Sequence, residues 1–120
     1  MEVLIVDDLE HSRVSLARIV AHFGCVPVEA LGAKDAIEIL ARRPEIGVVL
    51  LRSRKSAVNG YNLLSEMKSR PKPPKVVVVG KEEDMPSMLK MLAEGADEYI
   101  IKPYDSEAIA RKMRSVGACC

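Results

Sequence analysis

The chain has no surplus of either charge. Its 18 lysines and arginines stand against 17 aspartates and glutamates, for a net charge of +1. General affinity for nucleic acid needs a strong basic excess or stripe, so that class is excluded for this domain. No apolar run is long enough to span a bilayer, and the N-terminus does not read as a signal peptide. A cytoplasmic protein without membrane contact is expected. The three cysteines, Cys25, Cys119 and Cys120, have no CxxC or other metal-ligand spacing. Cys25 is read as a small core or edge residue and the terminal pair as a frayed end. His11 and His22 are too far apart for the i, i+4 pairing of a helical metal site, and are read as surface residues. There is no glycine-rich phosphate loop, no internal repeat and no linker.

What is present suits one folded domain. The 120 residues are 48% apolar and 29% charged, enough for a single core and too apolar for disorder. The domain is placed at 1–117, with 118–120 as a C-terminal tail. The run Val48–Leu51 is apolar throughout and gives way abruptly to Arg52, Ser53, Arg54 and Lys55. Such a run suits a strand buried on both faces, the centre of a parallel sheet. Glu2–Val6, Cys25–Ala30, Val76–Val79 and Asp97–Ile101 read as four further strands. Pro27 cannot donate to a ladder, which puts the second strand at an edge.

Helical periodicity fills the intervals. Leu16, Ile19, Val20 and Phe23 lie at i, i+3, i+4, i+7 with Gly24 as the stop. Ala33, Ala36, Ile37, Leu40 and Ala41 form a second stripe, halted by Pro44. Asn59-Gly60 reads as a turn before a third helix over 61–69. Met85, Met88, Leu89, Leu92 and Ala93 form the apolar stripe of a fourth, which Gly95 caps and which leaves Met91 off the stripe. Asp105 is the expected N-cap of a fifth helix reaching about Val116. Five strands alternating with five helices predict an α/β fold, a doubly wound parallel sheet with right-handed crossovers. Its functional rim lies beyond the carboxyl ends of the strands, where Asp7, Asp8, Arg52, Gly80 and Lys102 converge.

The chain resembles the receiver domain of bacterial two-component response regulators. The resemblance rests on the acidic pair Asp7-Asp8 after the first strand, Asn59-Gly60 after the third and Lys102-Pro103 after the fifth, with Tyr99 three residues before that lysine. It implies a flavodoxin-like sheet in the strand order 2-1-3-4-5 and an aspartate at the end of the third strand that accepts a phosphoryl group from a histidine kinase. Here that position is Arg52, and no acidic residue occurs between Glu45 and Glu66. The hydroxyl residue implied at the end of the fourth strand is Gly80, followed by Lys81, and the usual Met-Pro after the acceptor is Lys55-Ser56. The resemblance therefore points to a pseudo-receiver. Its output and dimerisation face falls at Met91, Glu94, Tyr99 and Arg111. The partners implied are signalling proteins: a histidine kinase, an output domain or a second copy of the chain.

The altered residues change the chemistry of the rim. Two carboxylates, Asp7 and Asp8, meet two cations, Arg52 and Lys102, and their formal charges cancel. Mg²⁺ is expected to bind weakly or not at all, because the guanidinium can take a carboxylate with a two-pronged fork in its place. Tyr99 is expected to turn inward over the space left by Gly80. Pro103 is a candidate for a cis turn. Other readings stay open. As the lesser alternative, Asp7 and Asp8 would be only the N-cap and first turn of the first helix. Arg52 and Lys102 would serve as solvated surface cations. Ser53 would replace the missing acceptor in a working phosphoacceptor, or Arg52, Arg54, Lys81 and Lys102 would bind a small anion or nucleotide. No catalytic residues are assigned, and the chain is read as a non-enzymatic signalling module.

Overall fold

A computed structural model describes residues 1–53 and 58–118, with side chains left aside for 58–62. The apolar runs form strands β1 (Glu2–Val6), β2 (Val26–Ala30), β3 (Val48–Arg52), β4 (Lys75–Lys81) and β5 (Glu98–Lys102). Helices α1 (Glu10–His22), α2 (Ala33–Arg42), α3 (Val58–Lys68), α4 (Met85–Ala93) and α5 (Ser106–Ser115) alternate with them. The strands are all parallel, in the order β2-β1-β3-β4-β5. That is the predicted flavodoxin-like topology. β2, with Pro27, pairs only with β1 and so is an edge.

Successive side chains of a strand point to opposite faces, so each buried strand feeds two cores. Leu4, Val6, Val49, Leu51 and Val78 pack toward α2, α3 and α4 through Leu40, Leu63, Leu64, Met88 and Met91. Val3, Ile5, Val48, Leu50 and Val79 pack toward α1 and α5 through Leu16, Val20, Ile109 and Met113. Continuing the same alternation beyond the strand ends puts Asp7, Arg52 and Lys102 on the α1 side of the sheet. The period of two therefore selects which residues meet at the rim.

Helix stops follow the sequence closely. Gly24 and Gly95 have φ of 90° and 120°, values that favour glycine. The Asp105 carboxylate accepts from the Ala108 amide at 2.8 Å and starts α5 as expected. Two expectations need correction, and one element is added. Asn59 and Gly60 lie within α3, which begins at Val58. A 3-10 turn, Glu82–Asp84, precedes α4. The α4 stripe is also rotated from its predicted phase. Met91 is 2% exposed and belongs to the core, whereas Leu89, assigned to the stripe, is 55% exposed. Five of the nine residues in α4 are long apolar side chains, so periodicity alone supports two overlapping phases. The return to β5 decides between them: Ala96, itself buried, donates its amide to the Met91 carbonyl at 3.0 Å.

Cys25 is buried at the start of β2, as expected, and it is disulfide-bonded. Cys119 and Cys120 lie outside the described residues. Ala118 packs against the α1–α5 core. Among the described residues, no helix is long and apolar enough to cross a membrane.

Candidate functional site

Asp7 is held from both ends of its peptide unit. Its amide donates to the Ala30 carbonyl at 3.1 Å, and its carbonyl accepts from Arg13 Nη1 at 3.1 Å. Arg13 is fixed in turn by an ion pair with Glu29 at 2.9 Å. The Asp7 carboxylate is almost wholly buried, and its Oδ1 accepts from the Leu9 amide at 2.9 Å. That bond steadies the turn before α1, but the N-cap is Leu9, which makes no side-chain cap bond, so the alternative reading of Asp7 or Asp8 as the N-cap is corrected. Asp8, next in the chain, is exposed.

Arg52 ends β3 with its side chain 8% exposed. Its Nη1 lies 3.6 Å from Asp7 Oδ2, an ion pair too long for a hydrogen bond. The two-pronged fork expected from the sequence does not form. Asp7 Oδ2 and Arg52 Nε are buried without a hydrogen-bond partner. Nη1 donates instead to Ser12 Oγ at 2.9 Å. Lys102 Nζ donates to the same oxygen at 2.7 Å. One neutral hydroxyl thus accepts from a guanidinium and an ammonium, and ties β3 and β5 to the first turn of α1. Burial, then the charge of Arg52, pulls the Lys102 amine below its ordinary range, with Asp7 opposing.

Ser12 is the site residue that sequence reasoning missed. A signal was available: it lies one turn before Leu16 and two before Val20, a polar residue on the buried stripe of α1. At 3% exposure it needs polar neighbours, and the two cations are those neighbours. Ser12→Ala would leave two charged donors without their shared acceptor. It is expected to lower stability by about 1–3 kcal/mol, read as a shift in denaturant midpoint at constant slope.

Gly80 does not leave an empty slot. A Cβ built there would lie 3.2 Å from Asp84 Cβ, 3.2 Å from Asp84 Oδ2 and 3.2 Å from Met88 Sδ. Asp84 is held in place by the Lys81 amide, which donates to its Oδ2 at 2.9 Å. The expectation that Tyr99 fills an opening beside Gly80 is therefore corrected, because Asp84 and Met88 already occupy it. Tyr99 is half-buried against the α4-side core, with Lys112 Nζ 4.7 Å from its ring centroid. Lys112 also pairs with Glu98 at 2.9 Å. Burial pulls the Glu98 carboxyl up, but the hydrogen bond from Lys112, the Tyr99 amide and the Lys112 charge outweigh it and leave the carboxyl below its ordinary range. Gly80→Thr would have to displace Asp84 or Met88. It is expected to cost about 1–3 kcal/mol, checked by thermal unfolding.

The remaining assigned residues divide clearly. The Lys102-Pro103 peptide bond is cis, as the sequence suggested. Glu94 and Arg111 are exposed, whereas Met91 is core and offers no surface. Ser53 is 1% exposed, and its Oγ has no hydrogen-bond partner, so no base is placed to activate it. Arg54, Lys55 and Ser56 lie outside the described residues. His11 and His22 are exposed as expected, and His11 lines an open cleft between α1 and the ends of β4 and β5.

This sheet order defines the flavodoxin-like fold, here with a buried aspartate after β1 and a lysine ending β5. Residues 3–114 match the family model described as response regulator receiver domain. The chain belongs to that family. Among curated proteins, it is 29% identical over 118 residues to the rice two-component response regulator ORR11 from Oryza sativa, covering 95% of this chain and 79% of that protein. It is 29% identical over 110 residues to a putative NtrX-like response regulator of Rickettsia bellii, covering 91% of this chain and 23% of that one. A response regulator receiver domain protein from Clostridium thermocellum superposes with a TM-score of 0.86 at 19% identity, over 96% of this chain and 92% of that chain. The receiver domain of NtrX from Brucella abortus gives a TM-score of 0.85 at 24% identity, over 98% and 99% of the two chains. At these identities the structural matches speak for the fold.

Proposed function

We propose that this receiver domain signals through protein–protein contacts without accepting a phosphoryl group. The observation that carries the reading is the guanidinium of Arg52 at the end of β3, anchored on Ser12 Oγ and facing Asp7 Oδ2. An arginine has no nucleophilic oxygen and cannot form an acyl phosphate. The cation also stands where the resemblance calls for Mg²⁺. Asp7 gives one oxygen to the Leu9 amide and turns the other toward Arg52, so a dication would have to displace a buried positive charge. The residues present do not fit that metal.

In this reading Ser12, Arg52 and Lys102 together replace the phosphoryl-dependent bonds by permanent ones. The partner is a signalling protein, which meets the exposed residues of α4, β5 and α5, among them Leu89, Glu94 and Arg111. The test is incubation of the purified chain with acetyl phosphate and Mg²⁺, followed by intact mass measurement. The expected result is no phosphoryl adduct at neutral pH. A stable gain of one phosphoryl mass would overturn the reading, and mapping it to Ser53 would favour a substitute acceptor.

A further inference from the structure

Cys25 is 4% exposed, packs in the α1–α5 core and is disulfide-bonded. It is the one cysteine among the described residues, and the sequence holds only two others, Cys119 and Cys120. Its backbone is fixed at the turn from α1 into β2. The Cys25 amide donates to the Val20 carbonyl at 3.3 Å, and the next amide, of Val26, donates to the Met1 carbonyl at 2.9 Å. The end of α5 comes to the same core. Gly117, with φ of 83°, donates to the Arg114 carbonyl at 3.0 Å, and Ala118 donates to the Met113 carbonyl at 2.9 Å. These two bonds reverse the chain in a Schellman turn. Val116 and Ala118 then pack against the cluster that contains Cys25 and Met113. The turn thus delivers the residue before the cysteine pair to the core in which Cys25 lies.

We propose that Cys25 and the Cys119-Cys120 pair form a redox-sensitive cross-link, made and broken by exchange with small-molecule disulfides and thiols. The oxidant is a low-molecular-weight disulfide, RSSR. A thiolate of the pair attacks one of its sulfurs, the S–S bond breaks, and RS⁻ departs and takes up a proton. In the mixed disulfide so formed, the Cys25 thiolate attacks the sulfur of the pair and a second RSH is released. Two protein thiols are oxidised and one RSSR is reduced to two RSH, and excess RSH runs the steps backwards. The order follows from burial, because a sulfur 4% exposed is closed to a bulky disulfide in solution. Three cysteines and one bond leave one thiol, and that thiol is the sequence neighbour of the bonded one. A resolving thiol beside the bond suits an exchangeable site and not a static staple. When closed, the bond pins the end of α5 to the α1–β2 turn. Lys112 of α5 pairs with Glu98 and lies over the Tyr99 ring. That surface is the one given to the partner under the proposed function, and on that reading the oxidation state sets how firmly it is held.

The experiment equilibrates the intact chain with reduced and oxidised glutathione at graded ratios, traps free thiols with N-ethylmaleimide and maps the unreduced peptides by mass. In oxidising buffers the peptide bearing Cys25 is expected to be joined to the one bearing Cys119 and Cys120, with a single alkylated thiol left. In reducing buffers all three cysteines should be alkylated. The cross-link closes a loop spanning most of the chain, so the oxidised form is expected to melt about 10 °C above the reduced one. Amide exchange at Gly117 and Ala118 should quicken on reduction, with that of β3 unchanged. Cys25→Ser and a Cys119→Ser, Cys120→Ser double variant should each abolish the melting difference. A bond between Cys119 and Cys120, a disulfide-linked dimer or a glutathione adduct without the cross-link would overturn the proposal. So would a cross-link that survives the most reducing ratio. Acetyl phosphate takes no part in these measurements, so their failure leaves the reading of the rim intact, and a phosphoryl adduct would leave the cross-link intact.

Discussion

Arg52→Ala is expected to lower the unfolding free energy by about 3–5 kcal/mol, toward the lower end of that range. The substitution removes the cation beside Asp7, whose carboxylate is 1% exposed and keeps, among the described residues, only the Leu9 amide as a hydrogen-bond partner. It also strips one donor from Ser12, but Lys102 remains on that oxygen and keeps some positive charge near Asp7. This moderates the loss. The pair as it stands is not tightly made: the contact is 3.6 Å, and an oxygen and a nitrogen on its two sides lack hydrogen bonds. Replacing both members by neutral residues should therefore cost much less than removing one. Urea denaturation of Arg52→Ala and of an Asp7→Asn, Arg52→Met double variant separates these terms. An unmoved midpoint for Arg52→Ala would mean that the guanidinium is solvated and contributes no pocket charge. Arg52→Asp is expected to restore cation binding before it restores phosphorylation, because Gly80 still offers no hydroxyl and has no room for one.

On α4 the expected effects of two neighbouring apolar residues are opposite. Met91→Ala should cost about 2–5 kcal/mol, as for other truncations of buried methionine or leucine. Met91 is 2% exposed among Val78, Met88 and Ala96, and its carbonyl accepts the amides that close the helix. Leu89→Ala should stay within about 0.5 kcal/mol of the parent, since the side chain is 55% exposed. If this surface meets a partner, Leu89→Lys should weaken that contact with the midpoint of unfolding unchanged. Thermal and denaturant unfolding of the pair checks the first contrast, and pull-down or titration with an identified partner checks the second. A large stability loss at Leu89 and none at Met91 would show that the helix is rotated by about 100° from its described phase.

How far the residues alone led can be judged from particular positions. The parallel, doubly wound sheet followed from alternation, with Pro27 marking an edge strand and the apolar run at Val48–Leu51 the centre, whereas the order 2-1-3-4-5 came with the family resemblance. Asp105 as a cap, Gly24 and Gly95 as stops and the cis bond at Pro103 were legible because each depends on the local backbone. Arg52 and Lys102 were found as site residues, since strand ends share one rim in this topology. Their shared acceptor was not found. Ser12 lies 40 residues before Arg52 and 90 before Lys102 in the chain, and such pairing is fixed only when α1 packs on the sheet. The same holds for the space beside Gly80. The sequence showed a missing side chain, but only packing showed that Asp84 and Met88 fill its place. The phase of α4 was likewise undecided, because a short helix rich in apolar residues has two faces that would each serve as core. Local propensity and periodicity determined the elements and their order. Contacts between residues distant in sequence decided which charge meets which oxygen and which methionine is buried, because hydrogen bonds and close packing depend on distances that no local pattern contains.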